Sequence, residues 1–215
     1  MDNIRLITIT GKTKEWTEGN NGTIDMLLYR GTSVTVCWGN GKSSLVIAQA
    51  NKDTWCRAEQ TFCRPGKVVP YRIEVFSERT DAIMEIVDVL WDTDVDSVSF
   101  HNCPSLKRVK FHNVNNFDFS GARQLEYLDC DGFRGSALNL SDLTALKSLH
   151  CQSGLAELID LSGSIHLGSL DLFGSKMKKL KINNQATLQD VSIQYCNNLN
   201  QSTRLWIEQK FKYKT

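Results

Sequence analysis

A chain of 215 residues, 41% of them hydrophobic, can bury one large core or two ordinary ones, which excludes a disordered protein. Its formal net charge of +1 excludes the whole-molecule field that would draw it onto nucleic acid or an anionic membrane. The longest apolar runs, DMLLY at 25–29 and SLVIA at 44–48, fall far short of the roughly 20 residues needed to cross a bilayer, so no membrane insertion is expected.

The first ten residues, MDNIRLITIT, lack both a basic n-region and a continuous apolar h-region. No secretory signal is read there, and the expectation is a cytoplasmic protein or one whose signal has been removed. Over residues 1–80 the runs RLITIT, TIDMLLY, SVTVCW, SLVIAQA and YRIEVF are strand-like and separated by Gly, Asn and Pro signals. That spacing predicts a small β-sandwich. Gly39-Asn40-Gly41-Lys42-Ser43 ends like a phosphate-binding loop, but Val36 stands where such a loop needs glycine, and a strand-like run follows instead of a helix. A hairpin turn explains the glycines. Cys56 and Cys63 fit either a disulfide in an exported protein or two buried thiols. The stretch SERTDAIMEIVDVLWDTDV at 77–95 fits either a short helix or a first irregular coil.

From there the chain repeats itself. The pattern apolar-x-x-apolar-x-apolar recurs at Leu106, Val109, Phe111; Leu125, Leu128, Cys130; Leu146, Leu149, Cys151; Leu167, Leu170, Leu172; and Leu188, Val191, Ile193. The steps are 19, 21, 21 and 21 residues. A second column, Phe117 and Phe119, Leu138 and Leu140, Ile159 and Leu161, Leu180 and Ile182, runs out of phase with the first. Two apolar residues flanking a polar one describe a strand with one wet face, and the polar connectors are too short for ordinary helices. A coil of two short strands buries little alone, but stacked coils align each leucine column into a continuous core. Val98 with Phe100, and Val87 with Val89, keep a related spacing that starts the stack before residue 100. Cys130 and Cys151 fill inward slots as small hydrophobes, and Cys103 and Cys196 occupy matching turns. After the last repeat, Ser202 is read as the cap of a helix carrying Leu205, Trp206, Gln209 and Phe211, which closes the stack.

The fold class is therefore mainly β: a sandwich over 1–80, a β-solenoid of about 21 residues per coil over 81–200, and a C-terminal cap over 201–215. The segments LEYLDCDG, LNLSDLTALKSLHCQS and LIDLSGSIHLGSLDLFGS resemble the short leucine-rich-repeat proteins of gut anaerobes. Upstream, GTSVTVCWGNGKSS and YRIEVFSERTDAIMEI are similar to the PKD-like or Ig-like sandwich that precedes such repeats. Cys37 stands where that family has an acidic residue and Asn40 replaces the Asp of its turn, so no cation site is carried over. The usual asparagine of the repeat is mostly absent, and Gly132, Ser153 and Gly174 stand near its place. The resemblance implies a bacterial secreted or cell-surface interaction module.

Alternation along the first strand column turns Arg108, Lys110 and His112, Tyr127, Asp129 and Asp131, Ser148, His150 and Gln152, Ser169, Asp171 and Phe173, and Asp190, Ser192 and Gln194 outward. Five coils would present a face roughly 20 to 25 Å across. The candidate ligand-binding residues are Lys110, His112, Tyr127, Asp129, His150, Asp171 and Phe173, with Tyr127 and Phe173 as aromatic anchors for a protein or carbohydrate partner. His101, His112, His150 and His166 belong to no H-E-x-x-H set and no G-x-S-x-G elbow is present. No metal, cofactor or enzymatic activity is expected, and the chain is expected to be a monomer. Lys176, Lys178, Lys179 and Lys181 are read as a solvated face balanced by nearby acids. The alternative to recognition is a structural spacer with no ligand of its own.

Overall fold

A computed structural model describes residues 3–13, 20–62, 68–88 and 93–211. Among the described residues the chain is mainly β with one helix, and it includes a β-solenoid of about 5 turns with about 21 residues per coil. Two units are distinguished, 1–111 with 117–122, and 112–116 with 123–215.

The first unit contains β1 (Ile4–Thr13), β2 (Asn20–Leu28), β3 (Ser33–Cys37), β4 (Ser43–Ile47), β5 (Thr54–Phe62), β6 (Pro70–Ser77), β7 (Ile83–Asp88), β8 (Thr93–Phe100) and β9 (Arg108–Lys110). Its strands run in the orders β8-β1-β6-β3-β4 and β9-β7-β2-β5. Period-2 alternation sends Ile7 and Ile9, Val34 and Val36, Ile73 and Val75, and Ile24, Met26 and Leu28 into the interior, all at most 1% exposed. Trp38 is fully buried, and its indole N–H donates to Ser44 Oγ at 2.9 Å. The glycine-rich segment is the β3–β4 turn. Gly39 and Gly41 take φ of 75° and 80°, and Trp38 N donates to Lys42 O at 3.0 Å.

In the stretch left open between a short helix and a first irregular coil, the described residues form strands, β7 and β8, and no helix. β7 pairs antiparallel with β2 and parallel with β9, Ile86 facing Val109, so a parallel rung does precede residue 100. Val98 and Phe100 belong instead to β8, antiparallel to β1. Val89 and Cys63 lie outside the described residues, and with Cys63 the proposed bridge to Cys56; Cys56 itself is a half-buried free thiol.

β10 (Val114–Asp118) straddles the boundary between the units. The second unit holds β11 (Tyr127–Asp129), β12 (Ala137–Asn139), β13 (Ser148–His150), β14 (Leu158–Leu161), β15 (Ser169–Asp171), β16 (Lys179–Ile182), β17 (Asp190–Ser192) and α1 (Gln201–Phe211). β11, β13, β15 and β17 form one parallel ladder and β12, β14 and β16 another. Leu128, Leu149 and Leu170 are adjacent rungs, at most 1% exposed. Each such leucine contributes about 1.5–3 kcal/mol of burial. Cys130 and Cys151 fill the next inward column with Leu172 and Ile193, as expected of small hydrophobes.

Both corners of each coil are closed by repeated local chemistry. On one side Asn113, Gly132, Ser153, Gly174 and Tyr195 all take positive φ, between 54° and 69°. On the other, Asn139 Oδ1, Asp160 Oδ1 and Asn183 Oδ1 accept from the backbone N of Ser141, Ser162 and Gln185 at 3.1, 3.1 and 2.8 Å. The serines at these strand ends therefore close turns.

α1 is capped by Asn200 and not by Ser202. Asn200 Oδ1 accepts Thr203 N at 2.8 Å, while Ser202 Oγ donates to that same oxygen at 2.9 Å. Its one buried residue is Ile207, whereas Leu205 is 44% exposed. No helix among the described residues is long and apolar enough to cross a membrane.

Candidate functional site

The parallel ladder fixes which side chains share the outer face of the second unit. Inward Leu128, Leu149, Leu170 and Val191 leave Tyr127 and Asp129, Ser148 and His150, Ser169 and Asp171, and Asp190 and Ser192 on the opposite face, in register. Four rungs at about 4.8 Å give a face about 14 Å across. A cavity of about 450 Å³ opens on it, lined by His150, Ser169, Asp171, Gln189, Asp190 and Ser192 among others.

Of the seven residues named from sequence, six belong to the second unit. Lys110 belongs to the first, where it pairs with Val87 in the β7–β9 register. Tyr127 and His150 stack with ring centroids 5.3 Å apart at 33°. Asp171 is held in place from three directions: Gln152 Nε2 donates to Oδ2 at 2.6 Å, Phe173 N donates to Oδ1 at 3.1 Å, and His150 Nδ1 lies 3.8 Å away. Phe173 is 38% exposed and its ring meets Tyr195 edge-on at 5.0 Å. Tyr195, 70% exposed, is the largest aromatic surface here and was not singled out from sequence. It shares the left-handed column with Gly132, Ser153 and Gly174, and that 21-residue register is the signal that identifies its position.

Asp129 is withdrawn from this face. Its side chain is 8% exposed, with Oδ1 3.6 Å from His112 Nε2 and 3.5 Å from Asp131 N. Asp131 Oδ1 in turn accepts Gln152 N at 2.7 Å. His112, Asp129 and Asp131 form one local group whose candidate ligand atoms all lie within 4.8 Å of one another.

Cys103, Cys130 and Cys196 are poor nucleophiles. Burial pushes the Cys130 thiol well up, with Cys151, Asp129 and Asp131 adding to the effect, and pushes Cys196 up as well. In the first unit burial carries Cys103 up to about 12. These side chains are protonated thiols at neutral pH. Lys178 pairs with Glu157 and Lys181 with Asp160, each at 2.7 Å, so half of the lysine cluster is a paired, solvated face.

Compared with models of known protein families, with curated proteins and with solved structures, the chain matches none.

Proposed function

We propose that the protein is a non-catalytic recognition module that binds a protein loop or short glycan through the outer face of β11, β13, β15 and β17. The observation that supports this reading is the register of the ladder, which collects Tyr127, His150 and Asp171 on one face beside the Phe173–Tyr195 pair, with His150 and Asp171 lining its cavity. Exposed rings flanked by fixed hydrogen-bonding groups have the makeup of interface hot spots, offering large contact area at low entropic cost. Asp171 is pre-oriented by Gln152 and the Phe173 backbone, so little ordering is left for the moment of binding. The reading places the solenoid among leucine-rich-repeat-like modules, the first unit among PKD-like or Ig-like sandwiches, and the protein at a bacterial cell surface, on the strength of the repeat's resemblance.

Glycan and protein arrays probed with the full chain test it. Wild-type protein should give saturable hits that vanish when Tyr127, His150, Asp171 and Phe173 are all replaced by alanine. Far-UV circular dichroism should show the variant's repeats still folded. Hits of equal strength from a folded variant would overturn the proposal in favour of a spacer role.

A further inference from the structure

We infer that His112, Asp129 and Asp131 form a binding site for a first-row divalent cation of the zinc and cobalt class. The proposal goes beyond the recognition face and stands whether or not that face captures a partner. Among the described residues this is the one set of three such side chains whose ligand atoms lie within 4.8 Å of one another.

The spacing of the atoms carries the argument. His112 Nε2 and Asp129 Oδ1 are 3.6 Å apart, too long for a hydrogen bond. Two ligands on a tetrahedral ion at about 2.0–2.1 Å are about 3.4 Å apart. The pair is therefore spread by nearly the amount an ion between the two atoms requires.

The scaffold holds that spacing. His112 precedes Asn113 and Asp131 precedes Gly132, two left-handed corners of adjacent coils, and Asn113 N donates to Asp131 O at 3.0 Å. Gln152 N fixes the Asp131 carboxylate from the next coil at 2.7 Å. Burial is graded across the three, with the Asp129 side chain 8% exposed and the His112 side chain 35% exposed. Water meets part of the His112 ring, while its Nε2 is buried beside the Asp129 carboxylate. Three protein ligands with remaining positions filled by water is the arrangement of an accessible zinc-type site.

The ligand set also selects the ion. One imidazole with two carboxylates suits zinc, cobalt or nickel over calcium and magnesium, which take oxygen ligands. Cys130, which lies between the two aspartates in sequence, fills the inward column at 1% exposure and is not one of the three ligands. The neighbouring His150–Asp171 pair shows the contrast: at 3.8 Å it too exceeds a hydrogen bond, but Gln152 and the Phe173 backbone already occupy both carboxylate oxygens.

Equilibrium dialysis of the full chain against Zn²⁺, with metal counted per chain, tests the inference directly. Co²⁺ absorption in the visible region reports the coordination. Wild-type protein should retain one equivalent and give a Co²⁺ band that Zn²⁺ displaces. His112→Gln and Asp131→Asn should each weaken retention at least ~10-fold while keeping wild-type circular dichroism. Cys37→Ser with Cys56→Ser, which removes the half-buried thiols, should leave binding unchanged. Failure of the wild type to retain stoichiometric metal would overturn the site. So would wild-type retention by a folded His112→Gln, Asp131→Asn double variant, or loss of the Co²⁺ band in the serine variant. None of these measurements needs a partner, so they fail separately from the array experiment.

Discussion

In the first unit Ile7 faces Val75 on one side and Phe100 on the other, pairings that close 68 and 93 residues of chain. In the second, Leu149 lies between Leu128 and Leu170, each only 21 residues away, and every coil repeats the same local closure. Both units bury aliphatic side chains as completely, so the difference lies in how far each contact reaches along the sequence. A strand of the first unit depends on distant strands all being present, whereas a coil depends on its two neighbours. Damage should spread through the whole of the first unit but decay with distance along the second.

The largest expected effect tests that contrast. Leu149→Ala removes a fully buried rung and should cost about 2–5 kcal/mol in urea denaturation, as should Ile9→Ala in the first unit. Hydrogen exchange should then separate them. With Leu149→Ala, protection should fall most in β11, β13 and β15 and least toward α1. With Ile9→Ala it should fall evenly across the first unit. Even loss throughout the second unit would break the comparison.

Next in size is Gly163→Ala. A Cβ there would stand 1.7 Å from Ser141 O on the preceding coil, so the coil spacing itself must give. The expected cost is at least ~1–3 kcal/mol, read from the urea midpoint. The opposite sign is expected at Ser153, which holds φ of 54° in the left-handed column. Ser153→Gly relieves that backbone at some entropic cost and should stabilise by up to ~1 kcal/mol, measured as a raised melting temperature. A lowered one would show that the corner depends on the serine side chain.

The parts legible in sequence were those written as a period. The leucine columns imply stacked rungs, and alternation alone puts Tyr127, His150 and Asp171 on one face. What escaped was chemistry written without a period or across one. β7 was ambiguous because Ile83, Ile86 and Val87 suit a helix as well as a strand, and its partners β2 and β9 decide the matter. Asn200 was passed over as a cap because Ser202 is an equally good capping residue, and only the backbone geometry chooses between them. Tyr195 escaped because aromatic residues rarely hold left-handed conformations, so nothing local marks it as a corner. The His112, Asp129 and Asp131 group draws on two coils, so no short motif contains it. It becomes visible once His112 and Asp131 are aligned by the 19-residue first step.

The smallest effect compares one ion pair from each unit. Arg5, by hydrogen bond, holds the Glu74 carboxyl below its ordinary range, burial opposes it, and Arg72 adds to the lowering. At Asp160 burial pushes the carboxyl up, but hydrogen bonds from Lys181 and Ser162 outweigh it and the net direction is down. A carboxyl lowered in the folded state contributes stability above its unfolded pKa, and that contribution is lost as pH falls through the folded value. Both cations are more than 45% exposed, so solvent screening limits each pair to about 1 kcal/mol or less. Melting temperatures followed from neutral pH into acid should therefore decline less steeply in Glu74→Gln and Asp160→Asn than in the wild type, each by a small margin. Asp160 and Lys181 face each other on adjacent coils, so the hydrogen-exchange change in Asp160→Asn should stay on β14 and β16. The change in Glu74→Gln should reach every strand of the first unit. A distributed change in the solenoid variant would mean that even its surface pairs act over more than one coil, and the neighbour-only picture of that unit would have to be abandoned.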